Sequence, residues 1–300
     1  MIDVLLPFHG DPGYLRLAVR SILAQTHPDW RLVVVDDGYP DPTVRPWFAE
    51  LGDERIEYHR NPRNLGANAT YRRALELATA PHVIFMGADD LMLPGHLEGL
   101  SRSIDSVPDA GVYTCGVEVI DERGDAILPP LDRIKRWLTP RPAGRHAPDL
   151  LVVAGEAAVT RLMHGNWTYF PALCWNRTLV TAVGFRAEYD VVQDLALLVD
   201  VLGTGAPLVV AGGRRTFQYR RHAASDSSVK THAGGARFAE EAAYYATMAA
   251  ELSATGRTRA ARAAHLRATH RAHLALAAAE SGRRGDLKST GLLLRQALGH

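Results

Sequence analysis

Short apolar runs alternate with stretches of helical periodicity through the first half of the chain. The runs at 2–7, 31–36, 55–59, 82–86 and 110–119 have the length of buried strands and are bounded by turn-forming residues. Between them, Leu15, Val19, Ile22 and Leu23 recur at helical spacing behind Asp11, a suitable cap for a helix over 12–25. Further helices are predicted at 43–51, 67–78 and, opened by Pro94, through about Ser103. This alternation argues for an α/β fold: a single mainly parallel, Rossmann-like sheet with helices on both faces.

The second half is less regular. The stretch 117–128, with Asp121-Glu122-Arg123-Gly124 at its middle, reads as a hairpin. Pro129, Pro130, Pro140, Pro142 and Pro148 then mark a mobile loop or lid over 129–148. Helix resumes from Asp149, followed by an extended stretch at 168–175, a helix at 193–202 and a strand pair at 207–211 and 215–220. Beyond Gly234-Gly235 the composition shifts to alanine, arginine and leucine, which predicts two or three helices broken at Gly256 and around 282–285. The expected division is a larger α/β domain at 1–232, with halves at 1–115 and 116–232, and a C-terminal α-helical extension at 233–300.

Composition narrows the classes of function. With 300 residues, 47% of them hydrophobic, the chain can bury a sizeable core, and a formal net charge of +1 supplies no global field to recruit nucleic acid. The cysteines Cys115 and Cys174 indicate no disulfide framework. No apolar run approaches the roughly 20 residues that span a bilayer, and Ile2 to Leu6 is too short for a signal-peptide core. The expectation is a cytoplasmic protein. The arginines and histidines between Arg257 and Arg284 make the C-terminus locally basic, and Leu266, His270, His273, Leu274 and Leu276 give it an amphipathic surface. That surface leaves open a peripheral membrane contact, a homodimer, or simple packing on the catalytic domain. His270 and His273 lack a close third ligand in sequence, so a zinc site is set aside.

The chemistry concentrates at strand ends. Asp36-Asp37 closes the run 32–35, and Asp89-Asp90 follows the run 83–86. In an open α/β sheet the ligand crevice lies outside the carboxyl ends of the strands. Acidic pairs at two such ends suit a hydroxyl-rich or metal-bound ligand, and hard cations take carboxylate and phosphate oxygens together.

An ordered series of motifs accompanies these pairs. It comprises Leu5-Leu6-Pro7-Phe8-His9, Ser21-Ile22-Leu23-Ala24-Gln25-Thr26, Val33-Val34-Val35-Asp36-Asp37-Gly38, Asn64-Leu65-Gly66, Gly87-Ala88-Asp89-Asp90, Pro94, Gly184-Phe185 and Gln193-Asp194. In content, order and spacing the series resembles the inverting glycosyltransferases of family 2, which have the A-type nucleotide-sugar transferase fold, over about residues 2–222. The resemblance implies a metal-dependent hexosyltransferase that moves a sugar from a nucleotide-diphosphate donor, a UDP-sugar before others, to an acceptor hydroxyl.

Residue by residue, the resemblance assigns Pro7, Phe8, Asp36, Asp37, Asn64, Gly66, Ala88 and Asp89 to the nucleotide. Asp89, Asp90 and His222 fall to a manganese or magnesium ion, Arg220 and Arg221 to phosphate, and Asp194 to the base that deprotonates the acceptor. Trp167, Tyr169 and Trp175 are candidates for an acceptor pocket and equally for core, as Phe8 is for uracil stacking or core. Caps and turns are the alternative for the aspartates, and a solvated surface run for Tyr219 to His222, with Ser225 and Ser228 beyond. The chain departs from the family at Gly87 and Gln193, where relatives carry acids, and at Tyr71, where an arginine is common. Those departures keep a non-catalytic sugar-nucleotide-binding scaffold open as a rival. A nucleotidyltransferase is the weaker rival, because the loop from Pro7 to Gly13 has no lysine or arginine for a phosphate cradle.

Overall fold

The computed structural model describes residues 1–141, 150–222, 236–283, 285 and 287–298. Its first half follows the alternating pattern closely: β1 (Ile2–Phe8), α1 (Pro12–Leu23), β2 (Trp30–Asp36), α2 (Val44–Leu51), β3 (Ile56–Arg60), α3 (Ala67–Leu77) and β4 (His82–Phe85). Asp11 caps α1 as expected, its carboxylate accepting from the Gly13 N–H at 2.6 Å. Strands β3, β2, β1 and β4 lie side by side and parallel. Because neighbouring side chains point to opposite faces, Val4, Leu6, Leu32 and Val34 pack on one side of the sheet, and Leu5, Val33 and Val35 on the other.

The sheet continues beyond β4 with mixed pairing. After β5 (Leu91–Met92) and α4 (His96–Ser106) come β6 (Val112–Ile120), α5 (Pro130–Leu138), β7 (Leu150–Val153), α6 (Gly155–His164), β8 (Leu173–Asn176), α7 (Arg177–Val183), α8 (Gln193–Gly203) and β9 (Leu208–Arg220). Spatial order is β3-β2-β1-β4-β8-β6-β9-β5, with β7 also on β9. Strand β8 runs antiparallel between β4 and β6, whereas β6 and β9 pair in parallel.

Three sequence expectations are corrected here. The hairpin at 117–128 is reduced to one isolated bridge, Ile120 to Ala126, because β6 takes β8 and β9 as its partners instead. The strand pair at 207–220 is a single strand with register irregularities against β6, and Gly213 at a φ of 96° absorbs the distortion. In the proline-rich stretch, Pro130 opens helix α5, a position where its missing N–H costs nothing. Residues 142–148 of that lid expectation lie outside the described residues, as do Asp149, Ser225, Ser228 and Gly234-Gly235.

Among the described residues, the C-terminal part forms four helices, Ala236–Ala254, Thr258–Leu266, Ala268–Arg283 and Leu287–Leu298, where two or three were expected. The break at Gly256 was expected; Arg267, in the left-handed region at a φ of 48°, adds another. Tyr244, Met248, Leu252, Ala260 and Ala264 join the same core as Val33, Phe85 and Leu198, so the first two of these helices complete one face of the sheet. Among the described residues, no helix is long and apolar enough to cross a membrane.

Candidate functional site

The carboxyl ends of β1 and β2 and the turn after β4 open onto one large cavity of about 970 Å³. Its lining brings together Pro7, Phe8, Asp37, Asn64, Gly66, Ala88, Asp89, Asp90, Tyr169, Asp194, Arg221 and His222, twelve of the residues singled out from sequence.

Asp37 sits where β2 ends, almost wholly buried. One carboxylate oxygen accepts from Asn61 Nδ2 at 2.6 Å and the Leu65 N–H at 2.8 Å; the other accepts from the Gly66 N–H at 2.9 Å. The loop 64–66 is thereby folded against the strand end. Gly38 follows at a φ of 72°, where a Cβ would lie 2.6 Å from the Arg63 backbone, so only glycine permits this close passage.

Asp89 and His222 meet on the cavity wall, Oδ2 to Nε2 at 2.8 Å. Asp90 is buried and accepts the Arg220 N–H at 2.8 Å. Burial, reinforced by repulsion from Asp89, pushes the Asp90 carboxyl well above the usual carboxylate range. Gly87 makes this arrangement possible: a Cβ there would lie 2.6 Å from Asp90 Oδ2 and 2.9 Å from Asp89 Oδ1.

Across the cavity, Asp194 occupies the first turn of α8. Its carboxylate accepts from the Leu195 N–H at 2.7 Å and from Asn166 Nδ2 at 3.3 Å. Burial raises its pKa above the ordinary value, opposed by the Leu195 N–H and the nearby charges of Lys135 and Arg237. A raised carboxylate near substrate has the properties of a general base. Next to it, Gln193 donates through Nε2 to Asn68, while its buried Oε1 has no hydrogen-bond partner among the described residues.

Four expected residues are not brought to the cavity. Asp36 is fully buried, its carboxylate committed to the Tyr39 N–H at 2.7 Å, to Arg60 at 2.7 Å and to the Tyr58 hydroxyl. Arg220 turns inward to the carbonyls of Asp89 and Asp121, at 2.8 and 2.9 Å, where it ties strand β9 to two loops. Trp167 and Trp175 are core residues at 2% and 0% exposure, the alternative their sequence context had left open.

Conversely, the structure adds residues that sequence did not single out. Asp132 on α5 is buried and receives a bidentate pair from Arg221 at 2.8 and 2.9 Å and the Tyr169 hydroxyl at 2.8 Å. Arg221 therefore reaches the cavity with its charge already matched. Lys135 donates to the Thr168 carbonyl at 2.8 Å; burial and the nearby Arg221 charge push its ammonium down to about 8. Glu241, from the helix Ala236–Ala254, meets His270 at 3.0 Å and Arg237 at 3.1 Å on the same lining. Burial drives His273 beside it down to about 4. Apart from Arg237, one turn from Glu241 on the same helix, each partner lies far away in sequence or on a different element, so no local motif announces it. Glu241 does supply His270 with the carboxylate missing from the local sequence. No group of three His, Cys, Asp or Glu placed to hold a metal occurs among the described residues.

A crevice at the carboxyl ends of parallel strands, acidic on both sides, is the place where an open α/β sheet binds its ligand. The glycosyl transferase family 2 model matches residues 3–162, more than half of the chain, and the chain belongs to that family. Among curated relatives, it is 28% identical over 130 residues to the uncharacterized glycosyltransferase MJ1057 of Methanocaldococcus jannaschii, covering 42% of this chain and 45% of that protein. It is 29% identical over 98 residues to the UDP-Glc:alpha-D-GlcNAc-diphosphoundecaprenol beta-1,3-glucosyltransferase WfgD of Escherichia coli, covering 33% of this chain and 38% of WfgD. The chain thus spans less than half the length of these two relatives. Among solved structures, S. aureus TarS 1–349 in complex with UDP-GlcNAc shares the fold with a TM-score of 0.62 at 15% identity, over 82% of this chain and 66% of TarS 1–349.

Proposed function

We propose that the chain is an inverting glycosyltransferase that moves a sugar from a UDP-sugar to an acceptor hydroxyl. The observation that carries this reading is one cavity that joins a strand-end site of Asp37, Asp89 and His222 to a half-buried carboxylate, Asp194, on the opposite wall. The UDP in the names of WfgD and of the TarS complex supports the choice of donor. In this reading residues 1–115 bind nucleotide, 116–232 complete the acceptor side, and the C-terminal helices close it.

Asp37 holds the loop 64–66 in the shape that receives the nucleoside, and Phe8 and Pro7 floor the site. Asp89 and His222 form a carboxylate–imidazole pair, chemistry that suits a manganese or magnesium ion sharing its remaining positions with a diphosphate rather than a closed protein cage. Bound there, such an ion supplies neutralisation of the charge that grows on the leaving diphosphate. Asp194 takes the proton of the acceptor hydroxyl as its oxygen attacks the anomeric carbon. The new C–O bond forms as the bond to UDP breaks, and a single displacement inverts the centre without a protein nucleophile. The orphaned Gln193 Oε1 offers an acceptor for a sugar hydroxyl beside the base.

Thermal unfolding with UDP, with and without manganese, tests the donor site, since a ligand bound only to the native state raises the midpoint by mass action. A manganese-dependent rise with UDP, lost in Asp89→Ala and in His222→Ala, is the expected result. No rise with any nucleoside diphosphate would overturn the reading.

A further inference from the structure

Helix α5 has two faces with different destinations. Leu131, Ile134, Lys135 and Leu138, at spacings of three and four, line the cavity. The opposite stripe, Arg133, Arg136 and Trp137, points outward, and Trp137 is 82% exposed, far more than any other large hydrophobic residue described. Leu128, just before the helix, is 47% exposed, and Arg141, just after it, is also exposed. From Arg133 to Arg141 the sequence holds four basic residues and no acid.

The outer stripe is held firmly. Buried Asp132 anchors the first turn to Arg221 and Tyr169, and Lys135 anchors the second to the Thr168 carbonyl while lying 4.5 Å over the Tyr169 ring. An indole exposed to this degree gains most where its ring meets an apolar layer and its N–H stays wet, which is the boundary of a lipid bilayer. Flanking arginines suit an anionic headgroup region. A second copy of the chain fits poorly, because a two-fold contact would set these arginines against their own equivalents. A single indole ringed by charge is also too small an apolar surface to anchor a protein interface.

We propose that the outer face of α5, Arg133, Arg136 and Trp137, docks on an anionic lipid surface and so holds the α5 side of the cavity against the membrane. This surface differs from the basic C-terminal helices that sequence had offered for such contact. The inference concerns binding alone and stands whether or not the sugar-transfer reading holds.

Cosedimentation of the full chain with vesicles of phosphatidylcholine, with and without phosphatidylglycerol, tests it. The expected result is binding that requires the anionic lipid, weakens about fivefold for each of Arg133→Glu and Arg136→Glu at low salt, and weakens about tenfold or more in Trp137→Ala. Brominated lipid should quench the fluorescence of the wild type and spare Trp137→Phe, and all variants should keep the wild-type unfolding midpoint. No uptake by anionic vesicles, uptake unaltered in the triple variant Arg133→Glu/Arg136→Glu/Trp137→Ala, or self-association through Trp137 would each overturn the proposal. So would displacement from vesicles by a soluble polyanion that itself binds the triple variant as well as wild type.

Discussion

On the sheet-edge wall of the cavity, Asp37 and Asp90 are held chiefly by main-chain N–H groups, those of Leu65, Gly66 and Arg220. On the helical wall, Asp132 depends on the side chains of Arg221 and Tyr169, and Glu241 on His270 from another helix and on Arg237 one turn away on its own, while Asp194 combines the Leu195 main-chain N–H with the Asn166 amide. The first arrangement is carried by the conformation of a few loops and survives as long as those loops do. The second rests mainly on side-chain pairs, most of them between distant elements, in which removing one partner leaves a buried group uncompensated.

The largest expected effect separates the two walls by function. Asp194→Asn should reduce release of UDP in the presence of acceptor by about a thousandfold, while leaving the manganese-dependent rise in midpoint with UDP intact. Loss of both together would show the walls to be one site energetically. Next comes stability. Asp132→Ala strips Arg221 and the Tyr169 hydroxyl of their acceptor and should cost about 3 kcal/mol in urea unfolding. Asp37→Ala frees N–H groups on a loop that can turn toward water, and should cost about 1–2 kcal/mol. Equal costs would break the distinction.

The smallest effect is a shift in pH dependence. Asp194 acts as a base only when ionised, so turnover should fall as pH drops through its raised pKa, above the usual carboxylate range. The Asn166 amide favours the ionised form, so Asn166→Ala should raise that pKa further and move the acid limb upward by about half a unit. An unchanged limb, read from kcat against pH, would remove Asn166 from the support of the base.

The same contrast explains what was legible in the sequence. Strands β1 to β4 and their helices were readable because buried parallel strands are continuous apolar runs and their helices keep one period. Asp37 and Asp89 were readable because each lies within three residues of the end of such a run. The β6–β9 pairing was not: a strand pair and one irregular strand look alike until the partner is known, and Gly213 fits either. Asp36 and Arg220 resembled ligand groups, yet each adjoins a residue that does face the cavity, and strand alternation sends neighbours to opposite sides. Lys135 and Asp132 were hidden in a proline-marked stretch read as loop, and Glu241 lay in an alanine-rich helix with no motif around it.

Gly87 carries a consequence for which side chains this cavity can accommodate. The resemblance read from the sequence puts an acid at that place, and a one-residue replacement restores it. With Asp90 Oδ2 2.6 Å from where the new Cβ must go, and Asp90 itself fixed to the Arg220 main chain, the added side chain has to evict a neighbour first. Positions 87 and 90 are therefore coupled: a side chain at 87 is accommodated only together with a shifted Asp90 carboxylate.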